Sequence, residues 1–206
     1  MSDRADRGEA VVIDPIPIAA IIGAYLIGAI PFGLLLGKAA GIDVREAGSG
    51  NIGATNVART AGKKIGVLTL FLDAAKGALP ISIGDRVLHL PSVWLCAVGL
   101  AAVIGHVFPI YLKLRGGKGV ATALGVFLAL SPASTGVAVA VFLVTFLVTK
   151  IVSLGSLIGA IVLTVASWFI DGRPEVTVLA VVCTLIIAVR HQGNIRRMLE
   201  HTEPGV

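Results

Sequence analysis

Apolar residues run through this chain in long blocks separated by short polar stretches. The blocks over 16–38, 65–83, 92–112, 151–170 and 176–190 approach the roughly 20 residues that carry an α-helix across the hydrocarbon core of a bilayer, or fall short by an amount that burial in protein can absorb. Pro31 interrupts the first block, which a helix bundle tolerates because neighbours satisfy the freed backbone groups. The block over 119–148 is harder to read: it is long for one membrane helix and short for two, and Ser131-Pro132 falls in its middle, where a turn is expected.

Cation placement decides between one helix and two there. With two short helices, Lys38, Arg45, Arg59, Lys63, Lys64, Lys113, Arg115, Lys118, Lys150, Arg190, Arg196 and Arg197 share one side, against Arg4, Arg7, Arg86 and Arg173 on the other, twelve to four. With one helix the split becomes nine to seven. Cytoplasmic loops collect Lys and Arg, so the sequence predicts an all-α polytopic membrane protein of seven transmembrane helices, some short, with its N-terminus outside and its C-terminus in the cytoplasm.

Composition agrees with that class. Hydrophobic residues make up 56% of the 206 residues and the mean hydropathy is +0.94, too apolar for a water-soluble surface. The formal net charge of +5 does not indicate a nucleic-acid partner, because the cations sit in turns between apolar blocks, where topology accounts for them. Cys96 and Cys183 lie inside apolar blocks and read as packing residues. The start, "MSDRADRGEA", is polar and carries no signal-like cleavage site, so the first block is expected to remain as a span. The expected organisation is a polar extension over 1–15, one integral-membrane domain over 16–198, and a tail over 199–206 that touches no motif.

Four polar clusters stand out, and the seven-helix topology places all of them on the cytoplasmic face. "GSGNIGATNVAR" (48–59) interleaves glycines with Ser49, Asn51, Thr55, Asn56 and Arg59. Glycines let backbone amides turn toward an anion, the side chains add donors, and arginine offers a two-pronged fork for phosphate; a flexible loop between spans is the plainer alternative. "GGKG" (116–119) opens an apolar helix, so amides, a helix N-terminus and the Lys118 ammonium could address one anion. It is not a Walker loop, since Lys113 and Gly119 occupy positions where that motif needs glycine and a magnesium-binding hydroxyl. "SLGS" (153–156) puts Ser153 and Ser156 on one helical face, and "HQGN" (191–194) does the same for His191 and Asn194. Helix capping and interfacial solvation are the plainer readings of those two.

Elsewhere, Asp73 and Lys76 stand three apart inside a span and are suited to neutralise each other, and His106 in "GHVFP" is expected to order the turn before Pro109. None of the four clusters contains Asp or Glu, so a metal site is not expected, nor a carboxylate base, and no cofactor is implied. The ligand is expected to be anionic. Phosphate or organophosphate transport would also use such clusters, but all of them lie on one side and no internal repeat is evident.

In order and spacing, "GSGNIGATNVAR", "GHVFPIYLKLRGGKGVAT", "SLGS" and "HQGNIRR", together with "DAAKG" at 73–77, resemble the bacterial acyl-phosphate:glycerol-3-phosphate acyltransferases, the PlsY family, over nearly the whole chain. The resemblance implies a seven-span enzyme of the bacterial inner membrane with its active site on the cytoplasmic side. Such an enzyme moves a fatty acyl group from acyl phosphate to the 1-hydroxyl of glycerol 3-phosphate, giving lysophosphatidate and inorganic phosphate, and a soluble enzyme that makes acyl phosphate is a candidate partner. It implies catalytic roles for Ser49, Arg59, Lys118, Ser156, His191 and Asn194. Phosphate binding falls to Gly50, Asn51, Thr55, Asn56, Gly116, Gly117, Gly119, Thr122 and Ser153. Acyltransferases with a His-x4-Asp motif are excluded, because no histidine here has Asp five positions later.

Overall fold

The computed structural model describes residues 14–205; the predicted polar extension lies outside them except for its last two positions. Among the described residues the chain is helical, with α1 (Pro15–Gly28), α2 (Phe32–Ala39), α3 (Ala54–Thr60), α4 (Lys63–Arg86), α5 (Ser92–Val107), a 3-10 turn (Ile110–Leu112), α6 (Val120–Leu130), α7 (Pro132–Thr149), α8 (Val152–Ala166), a π-helical turn (Ser167–Asp171), α9 (Pro174–Arg190) and α10 (Gln192–Leu199). Asp14 caps α1 by accepting the Ile16 amide at 3.0 Å, with Pro15 in the first helical position.

The first block is broken at Pro31, the residue a bundle is expected to tolerate. The chain leaves helix at Ala29 and re-enters at Phe32. The Ile30 carbonyl freed there accepts a hydrogen bond from Lys76 Nζ of α4 at 2.8 Å. Lys76 also lies 2.8 Å from Asp73 Oδ1, both side chains 2% exposed, so the predicted neutralising pair forms and also mends the helix break.

The 119–148 block is indeed two helices: α6 ends at Leu130 and Pro132 opens α7. Five helical stretches are long and apolar enough to cross a membrane, Pro15–Ala39, Lys63–Arg86, Ser92–Leu112, Pro132–Thr149 and Val152–Asp171, and a sixth is added if α9 and α10, bent by 61°, form one span. Helix length therefore does not reach the predicted seven. At 11 residues, α6 extends only about 17 Å, against about 30 Å of hydrocarbon.

So short a helix needs protein along most of its surface, and it has it, with only Leu128 and Ala129 of α6 exposed. Ala123, Val126, Phe127 and Leu130 of α6 are buried, and α6 lies against α4 at a glycine crossing. A Cβ on Gly77 would fall 2.1 Å from the Thr122 carbonyl oxygen, and one on Gly125 would fall 1.8 Å from that of Ala74, so the two backbones meet directly. A matching crossing joins α1 to α5, where Gly28 abuts Ala102 and Gly105 abuts Tyr25 and Ala29. The outer face is apolar: Val144, Leu147 and Val148 of α7, Phe71 of α4 and Trp168 and Phe169 of the π-helical turn are exposed, as a lipid-facing surface requires. Cys96 and Cys183 are free and buried, within the main apolar core.

Replacing Lys76 by Met removes the partner of a buried carboxylate and the donor to the Ile30 carbonyl, so it is expected to cost about 3–5 kcal/mol. The measurement is the thermal midpoint of the detergent-purified protein. The double replacement Asp73→Asn with Lys76→Met should recover part of the loss, and a Lys76→Met protein as stable as wild type would show that the pair holds nothing together.

Candidate active site

The first glycine-rich stretch is a built loop. Leu34, Val44, Ile52 and Val57 form a small core beneath it, and Gly33 of α2 sits where a Cβ would fall 1.9 Å from the Ile52 carbonyl oxygen. Asn56, 3% exposed, organises the turn: its Nδ2 donates to the carbonyls of Val44 (2.9 Å), Ala47 (3.1 Å) and Asn51 (2.9 Å), and its Oδ1 accepts the Ser49 amide at 2.8 Å. In this geometry both ends of the Asn56 side-chain amide, expected to bind phosphate, are spent on the backbone of the loop. Asn51 is partly spent too, its Oδ1 accepting the Gly53 amide at 2.8 Å. Gly48 and Gly50 adopt φ of 61° and 70°, where L side chains are strained. Ser49, Gly50 and Arg59 are exposed, with Thr55 half-buried.

The second cradle differs from its predicted form in which amides it offers. The Gly116 and Gly117 amides donate to the Val107 and His106 carbonyls, each at 3.1 Å, so those two groups hold the loop and are not free to bind phosphate. A Cβ on Gly116 would fall 2.1 Å from the His106 carbonyl oxygen, and one on Gly117 2.2 Å from His106 Nε2. His106 thus orders this region through its backbone carbonyl and by packing its ring under Gly117. Its Nδ1, 3.7 Å from Asp73 Oδ1, has no hydrogen-bond partner among the described residues. What remains for an anion is the Lys118 and Gly119 amides, the uncapped first turn of α6 and the Lys118 ammonium. Gly119, at φ 89°, turns the chain into α6. Thr122, expected as a ligand, is 0% exposed with its hydroxyl unpartnered among the described residues; it lies at the α4 crossing, not on an open surface.

Lys118 is where two distant clusters meet. Its Nζ donates to Asn194 Oδ1 at 2.6 Å. Asn194 Nδ2 donates in turn to Glu203 Oε1 at 2.5 Å, which also accepts Ser153 Oγ at 2.7 Å, while Arg197 Nε donates to Glu203 Oε2 at 2.7 Å. Arg59 Nη2 reaches the same tail through the carbonyls of Pro204 (3.1 Å) and Gly205 (3.4 Å). The tail predicted to touch no motif therefore links three of the four clusters and brings a carboxylate among groups that have none in sequence. By accepting from Nδ2, Glu203 fixes the Asn194 amide with its oxygen toward Lys118.

Ionisation follows from these contacts. Burial pushes the Lys118 ammonium down to about 8; the Glu203 carboxylate opposes that, and Arg197, Arg59 and Arg190 reinforce it. Burial disfavours the ionised Glu203 carboxyl, but hydrogen bonds from Asn194, Ser153 and Arg197 outweigh it and hold the group below its usual range.

Ser156 and His191 are each bonded within their own helical turn. Ser156 Oγ donates to the Val152 carbonyl at 2.9 Å within α8. His191, 2% exposed, has Nδ1 2.8 Å from the Ile187 carbonyl; a carbonyl only accepts, so Nδ1 carries the proton and Nε2 keeps its lone pair. No hydrogen bond among the described residues joins Ser49, Gly50, Asn51 or Thr55 to the other three clusters. Two groups escaped the sequence reading. Glu203 gave no signal because it follows the last apolar block. Arg190, counted only as a topological charge, donates to the Gly116 and Gly117 carbonyls at 2.9 and 3.2 Å; its place directly before His191 was the available clue.

Known proteins resemble this chain along nearly its whole length. Residues 18–201 match the family described as glycerol-3-phosphate acyltransferase. Curated proteins of that name are 47% identical in Geotalea daltonii (90% of this chain, 95% of the relative) and 48% identical in Myxococcus xanthus (90% and 97%). Two crystal structures of PlsY (YgiH), an integral membrane glycerol 3-phosphate acyltransferase, share the fold. Its glycerol 3-phosphate form has a TM-score of 0.89 at 41% identity, covering 93% of this chain and 96% of that one. Its lysophosphatidic acid form has a TM-score of 0.87 at 40% identity, covering 92% and 95%.

Because Lys118 loses its proton near pH 8, binding of sulfate, a dianion that does not titrate in this range, should weaken as pH rises through that value, approaching about tenfold per unit. Isothermal calorimetry from pH 6 to 10 reads this. Lys118→Arg should flatten the profile. Glu203→Gln, which removes the charge that supports the ammonium, should move the fall to lower pH. A wild-type profile that stays flat across pH 8 would separate Lys118 from anion binding.

Proposed function

The chain belongs to the glycerol-3-phosphate acyltransferase family, and we propose that it acylates the 1-hydroxyl of glycerol 3-phosphate with acyl phosphate as donor, releasing lysophosphatidate and inorganic phosphate. The observation that carries this reading is the Lys118–Asn194 contact at 2.6 Å, which sets a half-buried ammonium beside the open first turn of α6. A phosphate there would meet the ammonium, the Lys118 and Gly119 amides and the helix N-terminus together.

The donor suits a site made of hydrogen-bond donors. Acyl phosphate is a mixed anhydride with an activated carbonyl and a good leaving group, so the protein's task is alignment and charge stabilisation. The glycerol 3-phosphate hydroxyl attacks the acyl carbon, the bond from that carbon to the phosphate oxygen breaks, and inorganic phosphate leaves with the electron pair. Arg59 and Ser49 hold the acyl-phosphate head, while Lys118, His191 and Asn194 hold the glycerol phosphate. Ser153 and Ser156 line the same pocket. The hydroxyl proton passes to His191 Nε2 or to a substrate phosphate, whose second pKa is near 6. The exposed Ser49 has no histidine or carboxylate bonded to it among the described residues, which favours direct transfer over an acyl-enzyme.

In the membrane the chain runs with its N-terminus outside and its C-terminus in the cytoplasm, in the bacterial inner membrane, with α6 as a short seventh crossing enclosed by protein. This places all four clusters and Glu203 on the cytoplasmic face, where glycerol 3-phosphate arrives from water and the acyl chain from lipid. Residues 16–198 form the catalytic domain, and the tail over 199–206 serves its site.

The test is lysophosphatidate formation by the purified protein from palmitoyl phosphate and glycerol 3-phosphate, followed by mass spectrometry. Product should need both substrates. Lys118→Ala, losing a charge-assisted contact to phosphate, should lower kcat/KM for glycerol 3-phosphate by about a hundredfold or more. Product formed equally well from palmitoyl-CoA would defeat the donor assignment. Near-normal kcat in His191→Ala at saturating substrate would assign proton removal to the phosphate, and a loss of about a hundredfold or more would assign it to histidine.

A further inference from the structure

Two consecutive glycines give a loop almost no intrinsic preference for the direction of its peptide planes, yet the Gly116–Lys118 stretch is fixed from both sides. On one side the Gly116 and Gly117 amides bond to the Val107 and His106 carbonyls. On the other, Arg190 spans the two carbonyls, Nη2 to Gly116 O at 2.9 Å and Nε to Gly117 O at 3.2 Å. The guanidinium is backed by Phe108, whose ring centroid lies 6.0 Å away. Phe108 is itself tied to α1, because Tyr25 Oη donates to its carbonyl at 2.9 Å.

A trans peptide sets N–H opposite to C=O. Holding the Gly116 carbonyl on Arg190 therefore aims the Gly117 amide at the His106 carbonyl, as observed, and holding the Gly117 carbonyl turns the Lys118 amide away from the guanidinium. Were the Gly117–Lys118 plane to flip, the Gly117 carbonyl oxygen would face an anion in place of the Lys118 amide, and attraction would become repulsion; were the Gly116–Gly117 plane to flip, the bond from the Gly117 amide to the His106 carbonyl that anchors the loop would be lost. The planar fork of arginine matches two adjacent carbonyls, which an ammonium cannot do with the same geometry.

We propose that Arg190 is a positioning residue for the phosphate loop: without contacting substrate, it fixes the peptide planes of Gly116–Lys118 so that the Lys118 amide and not the Gly117 carbonyl meets the phosphate of glycerol 3-phosphate. Arg190 closes α9 and immediately precedes His191, so the same clamp sets the loop's distance from the HQGN turn, in parallel with the Lys118–Asn194 bond. The proposal rests on the acyltransferase reading for its substrate, but the loop's anion affinity can be measured without turnover.

The experiment compares full-length wild type with Arg190→Lys and Arg190→Gln in detergent, reading KM for each substrate, kcat, the thermal midpoint and sulfate affinity by calorimetry. Arg190→Lys keeps the charge and loses the fork. It should raise KM for glycerol 3-phosphate and weaken sulfate binding by about ten- to a hundredfold, with KM for acyl phosphate and the thermal midpoint near wild type. Arg190→Gln should move the same two quantities in the same direction and serves if the lysine variant does not fold. Unchanged affinity for glycerol 3-phosphate and sulfate in either folded variant overturns the proposal, because charge or mere bulk would then suffice. A parallel rise in both KM values with a fallen midpoint overturns it as well, since that is general packing. Wild-type protein that binds sulfate but forms no lysophosphatidate would defeat the reaction assignment while leaving the clamp testable by sulfate alone.

Discussion

An 11-residue apolar helix cannot cross a bilayer by its own length, and the rest of this structure follows from how that shortfall is met. Most of helix α6 is covered by protein, and that cover depends on backbone meeting backbone where Gly77 faces Thr122 and Gly125 faces Ala74. Because no side chain intervenes, α6 has little freedom to slide or rotate. Its N-terminus, with free amides and Lys118, is held at one depth. Asp73 and Lys76 lie on α4 beside this crossing, and Lys76 reaches the break before α2, so the buried pair ties α4, the helix against which α6 packs, to the segment that leads into the first glycine-rich loop.

The site is assembled by bridges between elements far apart in sequence. Lys118 reaches Asn194, Asn194 reaches Glu203, Glu203 reaches Ser153 and Arg197, and the backbone beyond Glu203 reaches Arg59. The single carboxylate orients Asn194 and offsets part of the positive charge around Lys118. A cluster of cations close to low-dielectric surroundings repels itself unless anions balance it. Glu203 supplies one negative charge permanently, and substrate phosphates supply the rest during turnover. Burial pushes the Lys118 ammonium down to about 8, and an arriving phosphate dianion favours its charged form.

Much of this was legible in the sequence because it rests on local chemistry. Hydropathy blocks located the long helices, Ser131-Pro132 located the break between α6 and α7, and the spacing of Asp73 and Lys76 predicted their pairing. Glycine, asparagine and arginine in one acid-free stretch marked a built, glycine-dependent loop. What was not legible lies where a residue's partner is set by tertiary structure. Asn56 has the composition of a phosphate ligand, yet its position beneath the loop gives its amide to the backbone. Gly116 and Gly117 look like free donors, and only their pairing with Val107 and His106 shows otherwise. Glu203 lies beyond the last apolar block, so only the return of the chain past α10 brings it to Ser153. Arg190 has one reading as a topological charge and another as a clamp, and sequence spacing does not separate them.

The central claim is that the phosphate of glycerol 3-phosphate sits at the N-terminus of α6 against Lys118. A structure of this protein with glycerol 3-phosphate bound tests it most directly. The account predicts phosphate oxygens within hydrogen-bond distance, about 2.7–3.1 Å, of Lys118 Nζ and of the Lys118 or Gly119 amide, with Asn194 and Arg190 keeping their present partners. Phosphate bound wholly within the 48–59 loop, leaving the α6 N-terminus without an anion, would contradict it.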